Sequence, residues 1–175
     1  QIFAMNSRNL LRTAIALVAL FLPTLSHAEE PAKSVKPIRA LLITGGCCHD
    51  YTQQKKILPA GISERALVDW TIVHQGGSTT DTQIPFYENE KWYEGFDVVV
   101  HNECFAGVTD PSWTARILKA HREGVPAVVV HCAMHCYRAP NEEWFKFCGV
   151  TSHRHGSHFA YPMKLAKADH PIVLG

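Results

Sequence analysis

The sequence predicts an α/β fold in which a doubly wound, mostly parallel sheet is flanked by helices. Apolar runs at 40–44, 98–100 and 127–130 have no polar alternation, which is typical of strands covered on both faces of a parallel sheet. Each run leads into a cluster of histidine, cysteine or other polar residues. Because ligands bind beyond the carboxyl ends of strands in open sheets of this kind, the clusters indicate an enzyme or a ligand-binding domain.

The first strand and the first helix are predicted at 38–44 and about 52–67. A Gly45-Gly46 turn leaves the strand, and Asp50 is placed to cap the start of the helix. Pro59 falls inside the helix, where it predicts a kink or a later start because proline lacks the N–H that a helix interior uses.

The next elements are a strand at 69–74, a loop at 76–87 and a strand at 97–101. The loop is rich in Gly, Ser, Thr and Pro, which are loop-forming residues. Asp110 followed by Pro111 marks the start of a second helix. The predicted buried face of that helix carries Trp113, Ile117 and Ala120, and Gly124 ends it.

A fourth strand is predicted at 126–131 and a short helix at 141–147, closed by Gly149. A histidine-rich loop at 153–158 and a strand at 160–166 follow. Strands that alternate with helices across short loops favour the doubly wound sheet. We expect the domain to be incomplete at its carboxyl end, because the sequence stops without a closing element.

Residues 1–28 have the pattern of a secretory signal that follows upstream residues before Met5. Arg8 and Arg12 precede an apolar stretch at 14–22, and Ser26-His27-Ala28 offers the small residues of a cleavage site. The stretch is too short to span a bilayer, which needs about 20 residues. We expect an exported, periplasmic or extracellular protein with no membrane contact after cleavage, a linker at 29–37 and a domain at 38–175.

The charge balance gives no reason to expect a nucleic-acid partner. The full chain has a formal net charge of +1. Removal of 1–28 leaves 15 Lys and Arg against 16 Asp and Glu, a net charge of −1. Neither nucleic acid nor an anionic membrane attracts a near-neutral domain strongly.

Six cysteines lie beyond the signal; an even count in an exported protein permits disulfides, yet the chain is not a small cysteine-stapled scaffold. Cys47 and Cys48 are neighbours, and we expect no bridge between them because adjacent cysteines rarely reach disulfide geometry. Cys104 and Cys148 are expected to be buried packing residues.

The segment 124–135 predicts a strand, a tight turn and a helix, so that a side chain on the turn stands in the cleft. Class I glutamine amidotransferases place a nucleophilic cysteine on such a turn. Counting from Pro126 puts His131 at that place, with Cys132 next to it, and the flanking glycines of that family are missing. A thiol nucleophile also needs a base and an orienting acid, and no His/Glu pair follows. A cysteine amidase built on Cys132 remains an alternative.

Four features together resemble the ThuA-like (trehalose utilisation) family. They are the Gly45-Gly46 turn with His49-Asp50, the strand segment 93–102, the strand 124–131 ending in histidine, and the later His-Gly-rich segment with His170-Pro171-Ile172. The resemblance implies a flavodoxin-like or class I glutamine amidotransferase-like fold without the standard triad. It also implies a role in carbohydrate metabolism, on trehalose or keto-sugars, and the Cys47-Cys48 subtype is similar to exported versions of the family.

Our first hypothesis for the site is an enzyme that acts on a small carbohydrate. His49, Glu103 and His131 follow three strands and are the candidate catalytic residues, since histidine exchanges protons near neutral pH. The candidate substrate-binding residues are Gly45, Gly46, Asp50, Asn102, Cys132, His135 and Arg154.

Two other hypotheses stay open. His131 and His135 are four residues apart, so on a helix they could bind one divalent metal, such as zinc, with His49 or Glu103 completing the set. That site would belong to a metal-dependent hydrolase, which works through an activated water. The chain could instead be a non-catalytic sugar-binding module of a larger exported protein. The sequence specifies no oligomeric state.

Overall fold

The computed structural model describes residues 35–157 and 159–174, and it confirms the predicted fold class. Four parallel strands, β1 (Ile38–Gly46), β2 (Val68–Gln75), β3 (Val98–Cys104) and β4 (Ala127–Val129), form one sheet in the order β2-β1-β3-β4. This is a flavodoxin-like α/β arrangement. The predicted signal at 1–28 and residues 29–34 of the predicted linker lie outside the described residues.

The centre of the sheet is β1, which pairs with β2 on one side and with β3 on the other. Every residue of β1 from Ala40 to Gly46 is buried, which explains its unbroken apolar sequence. The strand order reverses direction between β1 and β3, and ligands bind at such a switch point in doubly wound sheets.

Two glycines at the end of β1 allow this close packing. Gly45 and Gly46 both have positive φ, +141° and +94°, a region that L side chains rarely adopt. A Cβ on Gly45 would collide with the carbonyl group of Gln75, and one on Gly46 with the carbonyl group of Cys104. The backbone of β1 therefore reaches its two neighbours only because these side chains are absent.

The helix α1 (Tyr51–Ser63) begins as predicted, because the Asp50 side chain accepts a hydrogen bond from the Gln53 N–H at 3.0 Å. It ends four residues earlier than predicted. The Leu67 carbonyl group is already in use by the sheet, where it accepts from the Ile38 N–H at 3.0 Å, so the chain must straighten before that point.

The helix α2 (Pro111–Arg122) is capped by Asp110, which accepts from the Ser112 N–H at 2.8 Å. Its buried residues include the predicted Trp113, Ile117 and Ala120. The short helices α3 (Glu143–Cys148) and α4 (Pro171–Leu174) follow. None of the helices within 35–157 and 159–174 is long and apolar enough to cross a membrane.

The strand predicted at 160–166 is wrong. These residues are exposed and have no strand structure. Pro162 stands within the run and removes a donor that strand pairing would need. The third strand, in contrast, is longer than predicted, because its pairing with β1 continues through Glu103 and Cys104.

Candidate functional site

The candidate site lies where β1, β3 and β4 end at the same edge of the sheet. His49 follows β1 by three residues, Cys104 is the last residue of β3, and His131 follows β4 by two. The clusters seen in the sequence therefore meet in space, as the parallel arrangement requires.

His131 occupies a tight turn between β4 and a 3-10 helix, His131–His135. Its φ is +41°, which is uncommon for a residue other than glycine and often marks a functional position. The Val130 N–H anchors the turn by donating to the His101 carbonyl group at 2.8 Å. The turn thus places His131 at the carboxyl edge of the sheet, directly after β4.

Three ligand atoms converge beside this turn. His49 Nε2 lies 3.0 Å from Cys132 Sγ and 3.1 Å from His131 Nδ1, and all three atoms lie within 4.8 Å of one another. Ligand atoms around a tetrahedral zinc ion are about 3.3–3.6 Å apart, given zinc–ligand bonds of about 2.0–2.3 Å. The group is therefore compact enough to hold a metal ion.

The predicted metal set was His49, His131 and His135, whereas the structure brings the ligand atom of Cys132 close to those of His49 and His131. The turn after β4 is a 3-10 helix, which has three residues per turn, so residues four apart do not share a face. The His135 Nδ1–H instead donates to the Ser152 carbonyl group at 3.1 Å. The His131 and His135 ring centroids are 6.4 Å apart.

A second sulfur group adjoins the first. Cys47 and Cys48 form a disulfide between neighbours in the sequence, contrary to our expectation of no bridge. Positive φ at Cys48, +83°, accompanies this tight turn. The Cys104 Sγ lies 3.6 Å from Cys47 Sγ. The three sulfurs also lie within 4.8 Å of one another, but they could bind a metal together only after the disulfide is reduced.

The cysteines around the site differ in acidity. Burial, followed by the neighbouring Cys104, raises the pKa of Cys132 to about 11, so Cys132 is a protonated thiol in the metal-free protein. Burial also raises the pKa of Cys136. Hydrogen bonding, first from Cys136 and then from Cys132, lowers the pKa of Cys104 against the effect of burial. Cys104 is therefore the thiol of this group that ionises most readily.

Glu103, predicted from the sequence as a catalytic base, does not lie in the cleft. The pairing of β3 with β1 carries Glu103 inside the sheet, where its side chain is fully buried. Its Oε1 accepts from Tyr137 Oη at 3.0 Å and lies 2.8 Å from His101 Nδ1. A carboxyl group enclosed by these partners cannot contact a substrate.

Four predicted substrate-binding residues also have structural roles. The amide of Asn102 is buried and donates to Gln54 and Thr44, so it ties β3 to α1 and β1. Gly45 and Gly46 permit the close packing of β1 and are buried. Asp50 caps α1, although it lines a small depression of about 110 Å³ together with His49.

An open cleft of about 580 Å³ adjoins the two sulfur-containing groups. Cys48, Cys104, Cys132, His135 and the predicted Arg154 are among its lining residues. No acidic side chain is among the described residues that line it.

Sequence reasoning missed Arg138, which organises one wall of this cleft. Its guanidinium donates to the His135 carbonyl group at 2.9 Å and to the His153 carbonyl group at 2.6 Å. Nothing in its local sequence signals this role, since both acceptors are backbone atoms. Cysteines at the ends of three strands are visible in the sequence, but their grouping was not predicted, because Cys104 was expected to be a packing residue.

The chain was compared with protein-family models, with curated proteins and with solved structures, and none of the three comparisons found a match.

Proposed function

We propose that the protein is a metal-dependent enzyme of carbohydrate metabolism, of the ThuA-like type, whose metal is held by His49, His131 and Cys132. The convergence of their three ligand atoms at the carboxyl edge of the sheet carries this proposal. Two imidazoles and one thiolate favour zinc or a similar transition metal over calcium or magnesium, which prefer oxygen ligands.

The number of protein ligands favours catalysis over a structural role. Structural zinc sites are closed by four protein ligands, whereas catalytic sites have three and leave a position open. A divalent metal supplies Lewis acidity, which polarises a carbonyl or hydroxyl group of a substrate. Cys132 must lose its proton to become a ligand, so binding of the metal overcomes the raised pKa of this thiol.

The cleft supports a small polar substrate. Its volume of about 580 Å³ lies within the range of small-molecule sites. Arg154 and His155 line it from the segment after α3, and the guanidinium donors of Arg154 suit the hydroxyl or carbonyl oxygens of a sugar. His135, held through its Nδ1 by the Ser152 carbonyl group, also lines the cleft.

Export and family membership belong to the same proposal. Two of the residues that carry the ThuA-like resemblance, His49 and His131, are among the three residues that converge at the site. A disulfide at Cys47–Cys48 also fits an oxidising compartment, where such bonds persist.

Metal content of the purified full-length protein tests the metal site. We expect one transition-metal ion per chain by elemental analysis, and a fall in metal affinity of more than about 100-fold in His131→Ala and in Cys132→Ser, since removal of outer partners alone costs about 10- to 100-fold. His135→Ala should keep the metal, and His170→Ala, an exposed histidine outside the site, is the matched control. A metal-free protein that is fully active, or equal metal loss in all four variants, contradicts the proposal.

Assays with disaccharides and keto-sugars test the substrate class. Saturable binding with product formation that a chelator abolishes supports the enzyme. Saturable binding without product, in the metal-loaded protein, would instead support a non-catalytic sugar-binding module. Absence of both binding and product across the panel rejects a carbohydrate substrate.

One contact favours a second candidate, a cysteine amidase or hydrolase. Cys132 Sγ lies 3.0 Å from His49 Nε2, within reach for a base that activates a nucleophile. This mechanism uses Cys132 and His49 but has no need for His131. Activity that survives chelation and His131→Ala, but is lost on alkylation of Cys132, supports this candidate over the metal enzyme.

A further inference from the structure

The cleft contains a disulfide and a thiol whose roles the proposed function leaves open. Cys104 ends β3, and its carbonyl group accepts from the Cys47 N–H at 3.4 Å. This backbone contact sets the Cys104 side chain beside the disulfide, with 3.6 Å between Cys104 Sγ and Cys47 Sγ. Reacting atoms held for attack are about 3–3.5 Å apart, so the two sulfurs are close to that separation without any movement of the backbone.

We propose that Cys104, Cys47 and Cys48 form a thiol–disulfide exchange centre, in which Cys104 attacks Cys47 and releases Cys48 as a free thiol at the mouth of the cleft. The Cys104 sulfur, as a thiolate, forms a bond to Cys47 Sγ while the Cys47–Cys48 bond breaks. Cys48 leaves as a thiolate and takes up the proton that Cys104 lost. One disulfide replaces another, so the step needs no external oxidant or reductant.

Exposure decides which sulfur leaves. Cys48 is exposed, Cys47 is half-buried and Cys104 is 4% exposed. A leaving thiolate is stabilised by water, so release of Cys48 is favoured over release of the more buried Cys47. The nucleophile is Cys104, because its sulfur is the one in contact with Cys47.

The backbone favours the same direction. Cys48 has a positive φ of +83°, and a residue with a side chain rarely adopts that conformation without constraint. After exchange, the ring that joins Cys47 to Cys48 is open and residue 48 can relax. The new bond joins the ends of two paired strands, since Gly46 pairs with Cys104 in the sheet.

The exchange would change the surroundings of the proposed metal ligands. It adds a free thiol next to His49 in the sequence, and it removes the thiol of Cys104 that contacts Cys132. The centre is therefore a redox-neutral device that offers an exposed thiol to a soft metal ion or to a disulfide of another molecule.

Trapping by alkylation tests this exchange in the full-length, oxidised and chelator-treated protein. Iodoacetamide is added at pH 8 without reductant, samples are quenched in acid, and unreduced tryptic peptides are mapped by mass spectrometry. We expect carbamidomethyl on Cys48 together with a peptide pair that joins Cys47 to Cys104. The pair is readily identified, because Lys55 and Lys91 offer cleavage sites that separate the two cysteines.

Cys104→Ser should slow the labelling of Cys48 by at least about tenfold, because the attacking sulfur is absent. Cys148→Ser is the matched control, since Cys148 is a free cysteine outside this group, and it should label like the wild type. Circular dichroism and thermal melting establish that each variant is folded. The proposal is overturned if the Cys47–Cys104 pair never forms in the wild type, or if Cys104→Ser labels at the wild-type rate. Because the protein is metal-free throughout, failure here leaves the proposed metal site untouched.

Discussion

Glu103 is held in a fully buried set of hydrogen bonds beneath the site. Its Oε1 accepts from the hydroxyl groups of Tyr87 and Tyr137 at 3.3 and 3.0 Å. Burial raises the pKa of both tyrosines, so their hydroxyls stay protonated and donate at any working pH. Its Oε2 is buried with no partner among the described residues. The arrangement joins the core beneath β3 to the segment after the 3-10 helix.

Glu103→Gln should therefore act on stability. The amide group places a donor where Oε2 has no acceptor, and a buried unsatisfied group costs about 1–3 kcal/mol. We expect the free energy of unfolding in denaturant to fall by that amount while the metal content stays at the wild-type value. Loss of activity with unchanged stability would argue instead for a catalytic Glu103. Tyr137→Phe, which removes one donor to the same oxygen, is the matched comparison.

His121 should make the stability depend on pH. Its Nδ1–H donates to the Val125 carbonyl group at 2.8 Å, and its Nε2 faces His101 Nε2 at 3.0 Å. Burial first, and then His101, lowers the pKa of His121 to about 4. Because the unfolded chain takes up this proton near pH 6.5 and the folded chain only near pH 4, the stability present above pH 6.5 is lost as the pH falls through this window.

Between pH 7 and pH 5 the loss is at most about 2 kcal/mol, less to the extent that solvent screens the partly exposed ring. Denaturant unfolding of the metal-free protein at both pH values measures it, and His121→Gln should reduce the difference. The other charged groups at this ring, Arg122, Glu143 and Lys146, line the same depression. Equal pH dependence in the variant would assign the effect to other groups.

At the scale of elements, the end of β1 should be the position least tolerant of a side chain. Gly46→Ala would place a Cβ against the Cys104 carbonyl group at a φ of +94°, so we expect a loss of stability of more than about 3 kcal/mol, or no folding. Gly61, inside α1, meets nothing within 4 Å, and Gly61→Ala should stabilise by about 0.5–1 kcal/mol because alanine favours helix. Thermal melts of the two variants test the expected loss of stability in Gly46→Ala and the expected gain in Gly61→Ala. Similar effects at the two positions would contradict the close approach of β1 to β3.

The elements that the sequence predicted well are those with local signals. Asp50 and Asp110 each cap the helix that they were expected to cap. The extent of β3 was not predictable, because its last residues are polar and join the sheet only through pairing with β1. That pairing also explains why Asn102 and Glu103 are buried and not in the cleft.

The metal group shows the same division between local and tertiary information. His49 and His131 were correctly expected at one edge of the sheet, because the carboxyl ends of parallel strands meet there. From the sequence, His135 was expected in the metal group and Cys132 was not, because α-helical spacing was assumed where the chain forms a 3-10 helix. The Cys47–Cys48 bridge was missed because the expectation rested on how rarely neighbours bridge, and the sequence does not show the turn that Cys48 adopts.

At the scale of the whole described domain, stability should differ between the sheet and the segment after α3. Residues 151–157 and 159–170 have no helix or strand and are largely exposed, including apolar side chains such as Phe159 and Met163. We expect their amides to exchange hydrogen within seconds, whereas those of β1 and β3 exchange most slowly. Hydrogen exchange with mass spectrometry measures both. Slow exchange throughout 159–170 would show that this segment is part of the cooperative core.

The same segment forms one wall of the cleft through Arg154 and His155. Arg138 holds it by donating to the His153 carbonyl group at 2.6 Å. A ligand in the cleft should therefore slow hydrogen exchange at 153–155 more than elsewhere, which offers a way to detect binding without knowledge of the reaction.

The distances along the chain between the converging residues have a consequence for biosynthesis. His49 meets His131 and Cys132 across 82 and 83 residues. As the polypeptide is synthesised, Cys47, Cys48 and His49 emerge long before any of these partners exists. Where the chain enters an oxidising compartment amino end first, the two cysteines arrive with only each other within reach, so the bridge between neighbours can form first. This order thus favours the Cys47–Cys48 disulfide as the starting state, from which Cys104 can later form a disulfide with Cys47.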